Sequence, residues 1–324
     1  MSSSEIDGWA IALEFTAGLV LFLYAVTLLS DALKRLSGDC LKEWLARFTR
    51  NRFTGVLTGT AATIAIDSSS VTIIMVIALV NAGLLGFAES LAVVMGSNIG
   101  TAFSSQLYAF SIDDYAPIAL LVGFLGSVLA KTDRWHNIST FVFSLGLIFF
   151  SLHLMGQSMA PLEKHPPFTR FVENLSNPWL GALIGAVGTA LIQSSSAMMG
   201  IVIVMAGQGI MPLSVGVSIM LGAEIGTCAD TLLATIGRSR GAIRTGVFHL
   251  LFNLCTVVLG VLLVEQLIGL VEALAPNASV ERQIAHAHVL FNVLGVALFV
   301  SFTHVVARLL QTAIPDKKAQ PEPA

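Results

Sequence analysis

The sequence predicts an all-α polytopic membrane protein. It would consist of two inverted-topology repeats, each with a re-entrant helical hairpin and a discontinuous helix, plus one extra C-terminal helix. Three observations carry this expectation. Hydrophobic residues fill 55% of the 324 positions and charged residues only 11%, with a mean hydropathy of +0.82, whereas a soluble domain carries about 25% charged residues. A gapless internal repeat relates the two halves at a shift of 126 residues. Basic and acidic loops alternate between the apolar segments.

Taken in order, the N-terminus begins MSSSEIDGW, acidic where a signal peptide is basic, and the apolar stretch 9–33 is too long for a signal h-region. It reads as the first membrane helix. A span needs about 20 apolar residues, and further full crossings fit at 115–131, 137–160, 242–268 and 284–311. Tracts 54–110 and 180–236 are apolar but broken by Ser, Thr and Gly clusters, the pattern of discontinuous helices. Residues 315–324 read as a disordered polar tail. The segments divide as 1–136 (first repeat), 137–275 (second repeat), 276–314 (additional transmembrane helix) and 315–324 (cytoplasmic tail). Lys34, Arg35, Lys42, Arg47, Arg50 and Arg52 mark one inside loop; Lys131 with Arg134, Arg238 with Arg240 and Arg244, and Arg308 with Lys317 and Lys318 mark three more. Glu5 with Asp7, Asp113 with Asp114, Glu163 to Glu173 and Glu265 to Glu281 fall outside. This places the N-terminus outside and the C-terminus in the cytoplasm. Net charge is −3 without a basic tract, which argues against a nucleic-acid partner. Cys40, Cys228 and Cys255 show no metal-ligand spacing and read as small buried hydrophobes.

The repeat aligns GVLTGTAATIAIDSSSVTIIMVIALVNAG with GALIGAVGTALIQSSSAMMGIVIVMAGQG, then MGSNIGT (95–101) with LGAEIGT (221–227). Identities include Gly55/Gly181, Thr63/Thr189, Ser68 to Ser70 with Ser194 to Ser196, and Gly83/Gly209. Three net crossings lie between matching positions on the charge reading, so the second copy should be inverted about an axis in the membrane plane. AGLVLFLYA (17–25) resembles LGLIFFSLH (145–153), and 284–311 stands outside the duplication.

Asp67-Ser68-Ser69-Ser70 and Gln193-Ser194-Ser195-Ser196 fall mid-tract, with too few residues on either side for a crossing. A re-entrant hairpin with serines at its tip fits, and inversion brings two tips together. Serine hydroxyls and the N–H groups opening a half-helix are donors suited to an oxyanion; neither tract holds Lys or Arg, so a co-bound cation is expected. Asn98, Thr101, Glu224 and Thr227 in the two GxxIGT stretches, with Asp67 and Asp230, are the candidate cation or coupling residues. Glycines there would let the helix unwind and free carbonyls for Na⁺. Small residues also serve close helix packing, but two motifs recurring in register favour the ligand reading. His249-to-Asn253 (HLLFN) and His288-to-Asn292 (HVLFN) repeat at i, i+4 and could form a polar seam between the two late helices.

At these residues the chain resembles the type II sodium–phosphate cotransporter family and its shorter bacterial relatives, over residues 12–300. The paired QSSS signature with downstream GxNIGT-like stretches carries the likeness, together with LSNPWLGALIGAVGTALIQSSSA (175–197) and AHAHVLFN (285–292). The resemblance implies Na⁺-driven phosphate movement at the serine tips, a bacterial inner-membrane location and a homodimer. It also implies a membrane core without the soluble C-terminal regulatory extension of longer bacterial members. Two departures stand out: Asp67 replaces the first Gln, and Glu224 replaces the second Asn. Each puts a carboxylate beside an anion site, so H⁺ or a further Na⁺ is the expected counter-charge. The expected function is a secondary transporter of phosphate or a similar oxyanion by alternating access, with no resident cofactor. A proton-coupled transporter of a different small substrate and a non-transporting ligand sensor are the alternatives. An intramembrane serine hydrolase is disfavoured, because duplicated serines single out no nucleophile and no base is placed beside one.

Overall fold

The computed structural model describes residues 8–37, 43–45, 48–49, 51–110 and 115–316. Outside them lie Cys40, the polar tail from 317 on, and the loop charges Glu5, Asp7, Lys42, Arg47, Arg50, Asp113, Asp114, Lys317 and Lys318. In chain order the helices are Gly8–Ser37 (α1), Arg52–Ile66 (α2), Ser69–Asn81 (α3), Phe87–Tyr108 (α4), Ala116–Leu129 (α5) and Asp133–Met159 (α6). Then come Pro166–Asn174 (α7), Pro178–Ile192 (α8), Ser195–Gly207 (α9), Leu213–Gly226 (α10) and Cys228–Leu233 (α11). Arg240–Leu262 (α12), Val264–Leu274 (α13), Val280–Phe299 (α14) and Thr303–Ala313 (α15) complete the chain. No strand occurs among the described residues.

The duplication is visible in the backbone. Both ends of α2 recur in α8, and both ends of α3 in α9, at the same 126-residue shift. Their N-caps correspond as well. Asn51 receives the Thr54 N–H and Asn177 the Trp179 N–H, and Ser68 and Ser194 cap the next helix in each copy. Gly83 and Gly209 turn the chain after α3 and α9 with φ of 72° and 70°.

Helix α2 packs along α4, and α8 along α10. The glycines explain how closely. A Cβ on Gly59 would sit 2.1 Å from the Val93 carbonyl oxygen, and one on Gly96 2.0 Å from that of Val56. In the second copy, Gly185 meets Ile219 O at 2.0 Å and Gly222 meets Ala182 O at 1.8 Å. Backbone therefore lies on backbone, as small residues allow between membrane helices. This corrects the expectation of unwound GxxIGT segments. Helix α4 runs unbroken through Gly96 to Thr101, and the second copy interrupts only at Thr227, whose N–H still reaches the Ala223 carbonyl. The glycines make room for a neighbouring helix and free no run of carbonyls.

Five helices are long and apolar enough to cross a membrane: Gly8–Ser37, Asp133–Glu163, Leu213–Leu233, Arg240–Leu262 and Val280–Ala313. Four of them coincide with expected crossings. The fifth expectation, 115–131, is corrected: α5 has 14 residues, about 21 Å against a hydrocarbon core near 30 Å. It begins with Pro117 in its first turn and stops at Ala130, whose extended backbone leads into the Thr132 cap of α6. The expected span 242–268 divides at Leu263 into α12 and α13. Cys228 is buried as expected, but Cys255 is exposed.

Helices α4, α9 and α10 form the interior, with α12 and α14 packed against α4 and α10. Exposed apolar side chains such as Leu121, Phe124, Leu183, Leu191, Leu294 and Leu298 cover the periphery, as an integral membrane protein requires. Replacing Gly96 or Gly222 by Ala should lower stability by about 1–3 kcal/mol, the range of overpacking. Gly269→Ala, in a helix with nothing within 4 Å of the new Cβ, should cost nothing or stabilise. Thermal unfolding in detergent compares the three, and equal midpoints would refute the close-approach account.

Candidate functional site

Each serine tip is built by one left-handed residue. Asp67 has φ 57° and ψ 34°, Gln193 φ 58° and ψ 29°. For residues other than glycine this region costs roughly 1–2 kcal/mol. It ends α2 and α8, and the extended Ser68 and Ser194 then start α3 and α9. Ser68 Oγ accepts the Val71 N–H at 3.3 Å and Ser194 Oγ the Ala197 N–H at 3.1 Å. These two hydroxyls therefore serve as caps, each keeping its own proton to donate. The N–H groups of Ser69, Ser70, Ser195 and Ser196 precede the hydrogen-bonded ladders of their helices.

Both tips border one cavity of about 200 Å³. Ser68 to Ser70, Gln193 to Ser196, Asp67 and Thr227 all line it, together with one wall of α1 from Val26 to Lys34. A water occupies roughly 30 Å³, so the space holds a small oxyanion with part of its hydration. Ser70 Oγ lies 3.3 Å from Thr227 Oγ1, joining the first tip to the second copy. Ser30 Oγ donates to the Ile66 carbonyl at 2.9 Å, which pins α1 to the first tip.

Asp67 is buried. Ser104 Oγ donates to its Oδ1, and its Oδ2 has no hydrogen-bond partner. In the second copy the tip residue is the neutral Gln193, and the position matching Ser104 is the half-buried Asp230. The carboxylate at the first tip thus has no counterpart at the second tip, where the acid matching Ser104 lies on the adjoining helix α11.

Sequence reasoning missed Lys34 and Asp31. Lys34 is the basic side chain bordering the cavity, and its Nζ is 3.2 Å from Asp31 Oδ1, with side chains 39% and 52% exposed. Lys34 had been read only as an inside-loop charge. Its i, i+3 acid was the available signal, but nothing local says that the end of α1 reaches the tips.

The remaining cation candidates do not gather at the cavity. Thr101 Oγ1 donates to the Ser97 carbonyl of its own helix at 3.2 Å. Asn98 and Glu224 belong to a separate buried network. Glu224 Oε1 is 2.7 Å from His288 Nε2 and accepts Asn292 Nδ2 at 3.0 Å. Asn253 Nδ2 donates to the Glu224 carbonyl at 2.7 Å, and Asn98 Nδ2 donates to Asn253 Oδ1. The two His–Asn pairs therefore form no direct seam between α12 and α14. Each instead ties the copies together: His249 bonds Thr231 at 2.8 Å while Asn253 meets Asn98, and His288 bonds Ser105 at 2.7 Å while Asn292 meets Glu224. Ser105 and Thr231 are themselves 126 residues apart.

Helices long and apolar enough to cross a membrane, two of which border the polar, serine-lined cavity, place the chain among integral membrane proteins. The match to the Na⁺/Pi-cotransporter family model covers residues 21–157 and 165–303, and the chain belongs to that family. It is 31% identical to the uncharacterized protein YqeW of Bacillus subtilis, over 95% of this chain and 99% of that one. It is 23% identical to the putative inorganic phosphate export protein YjbB of Escherichia coli over 94% of this chain, which spans about half (56%) of that protein's length. The mouse sodium-dependent phosphate transport protein 2A is 30% identical over 56% of this chain and 30% of its own. No solved structure matches.

The network yields a test of what holds the copies together. His288→Ala leaves Glu224 one partner short and should cost about 1–3 kcal/mol. Glu224→Gln keeps an acceptor for His288 and Asn292 and should cost less. Unfolding midpoints in detergent at one pH measure both, and the reverse order would show that charge rather than hydrogen bonding carries the contact.

Proposed function

We propose that this protein is a secondary active transporter of inorganic phosphate, coupled to Na⁺ and working by alternating access around the serine-lined cavity. The convergence of both serine tips and Lys34 on that one cavity carries the reading. A tetrahedral anion needs donors from several directions. Ser69, Ser70, Ser195 and Ser196 supply hydroxyls and first-turn N–H groups, backed by the positive ends of α3 and α9. Ser68, Ser194 and the Gln193 amide add donors at the rim. In this reading the two tips are re-entrant hairpins of inverted copies meeting near the midplane, since each flanking helix has only 13 or 15 residues.

Asp67 provides the coupling site. A buried carboxylate oxygen without a partner is costly, and a Na⁺ bound there would satisfy Oδ2 while neutralising the charge nearest the anion. The same orphan oxygen favours a second reading, in which a proton takes the place of Na⁺. Thr227, which shares the cavity, is the further candidate ligand; Asn98, Thr101, Glu224 and Asp230 would act through the packing of α4, α10 and α11. By the loop charges the cavity faces the cytoplasm in this conformation, because it opens beside the basic end of α1. The names of the relatives support phosphate as cargo, and the movement of phosphate would run either inward or outward with the imposed gradient.

The test is phosphate flux in proteoliposomes under Na⁺ or H⁺ gradients. Gradient-driven flux in wild type should fall at least about tenfold in Ser195→Ala, since a hydrogen bond to a charged group contributes roughly 1.5–3 kcal/mol. Lys34→Ala should raise KM, with Lys34→Arg restoring it in part. Asp67→Asn should abolish the dependence on the driving cation. Phosphate flux absent under both gradients would reject the proposal, and a ligand-sensor role would stand if phosphate still bound.

A further inference from the structure

A second cavity, of about 190 Å³, lies at the other end of α9. Ile203, Gly207 and Gln208 of that helix border it, with Gln157 of α6 and Glu281 at the start of α14. The serine-lined cavity takes Ser195 and Ser196 from the first turn of α9. Seven residues separate Ser196 from Ile203, about 10 Å along a helix.

Tyr108, at the end of α4, belongs to both surroundings. It lines the second cavity, while its hydroxyl lies beside those of Ser104 and Ser196 and makes no short, well-aligned hydrogen bond. The side chain is 4% exposed, so its hydroxyl finds partners only in the protein or in a bound ligand. Phe22 stands edge-on to the Tyr108 ring, centroids 5.4 Å apart at 75°. Phe22 is itself fully buried and presses on Gly200, where a Cβ would fall 2.6 Å from its Cζ. Two aromatic rings therefore wall the serine tips off from the second cavity. In the other copy the position matching Tyr108 is Ala234, which has no ring to close with.

We infer that Tyr108 is a substrate-binding residue as well as the partition between the two cavities. Its hydroxyl, beside Ser196 of the second tip, is the donor an oxyanion there would recruit, and the second cavity is the far half of the anion's route. The inference rests on the phosphate-transport reading and adds to it a ligand and a closing element.

Two substitutions separate the roles. Tyr108→Phe keeps the ring and removes the hydroxyl; KM for phosphate should rise roughly tenfold with kcat within about twofold, the loss of one hydrogen bond to a charged ligand. Phosphate-dependent thermal stabilisation in detergent should weaken in parallel, a readout independent of transport. Tyr108→Ala removes the partition, and phosphate should then leak from loaded liposomes without any cation gradient. An unchanged KM in Tyr108→Phe overturns the ligand role, and a leak-free Tyr108→Ala that still transports overturns the partition. Wild type that neither moves nor binds phosphate defeats the transport reading itself, and this inference with it.

Discussion

The structure depends on two residues held in a left-handed conformation that glycine would adopt without cost. Asp67 and Gln193 break what would otherwise be continuous apolar helices running through the serine motifs. Continued as helices, those tracts would spread their serines around a cylinder, and every backbone group would be satisfied within it. The break instead places the negative end of one helix beside the positive end of the next. The adverse conformation is tolerated because the arms are held elsewhere. Glycines press α2 onto α4 and α8 onto α10 at backbone contact, and Thr63 reaches Thr72 across the first turn at 3.1 Å. Local strain at the tips is thus supported by packing along the arms.

Apolar packing already joins the two copies, since both large buried clusters draw residues from each. Polar contacts fix their register: one His–Asn pair on α12 and another on α14, each spaced four residues apart and each reaching both copies. The geometry is shared except at one position, where Asn98 in the first copy becomes Glu224 in the second. The longer acid reaches His288 as well as Asn292. Because Ser104 and Ser105 are neighbours, the network that holds α14 and the bond that holds Asp67 sit on adjacent residues of α4. Displacement of the first tip would therefore be felt at the junction of the copies.

Much of this was legible beforehand. Repetition at 126 residues located the serine tips, because two polar motifs recurring in register within apolar tracts are hard to explain by packing alone; the left-handed residues and the caps that build the tips come from the structure. The glycines of GxxIGT were misread, since a glycine that frees a helix and one that admits a neighbour look alike in sequence. The difference lies in Val56 and Ala182, which are ordinary apolar residues until the helices meet. Lys34 escaped notice for a related reason: its role depends on where a 30-residue helix ends relative to a turn more than 30 residues away. The crossing expected at 115–131 failed on length, because hydropathy reports that a segment avoids water and not how many residues remain helical.

The charges around the cavity argue for selection by hydroxyls rather than by a cationic clamp. Lys34 is over a third exposed and already faces Asp31, so its attraction is screened and shared, and exposed pairs of this kind contribute at most about 1 kcal/mol. Asp67 sits deeper and opposes an anion. An anion held by fixed positive charge would leave slowly and would gain little from a travelling cation. An anion held by neutral donors, beside a carboxylate that only a cation can satisfy, is bound well only when the cation is present. On the proposed transport reading, Asp67 at the first tip, with no equally buried positive group bordering the cavity among the described residues, would make anion binding conditional on a co-bound cation or proton. That dependence is what coupling requires.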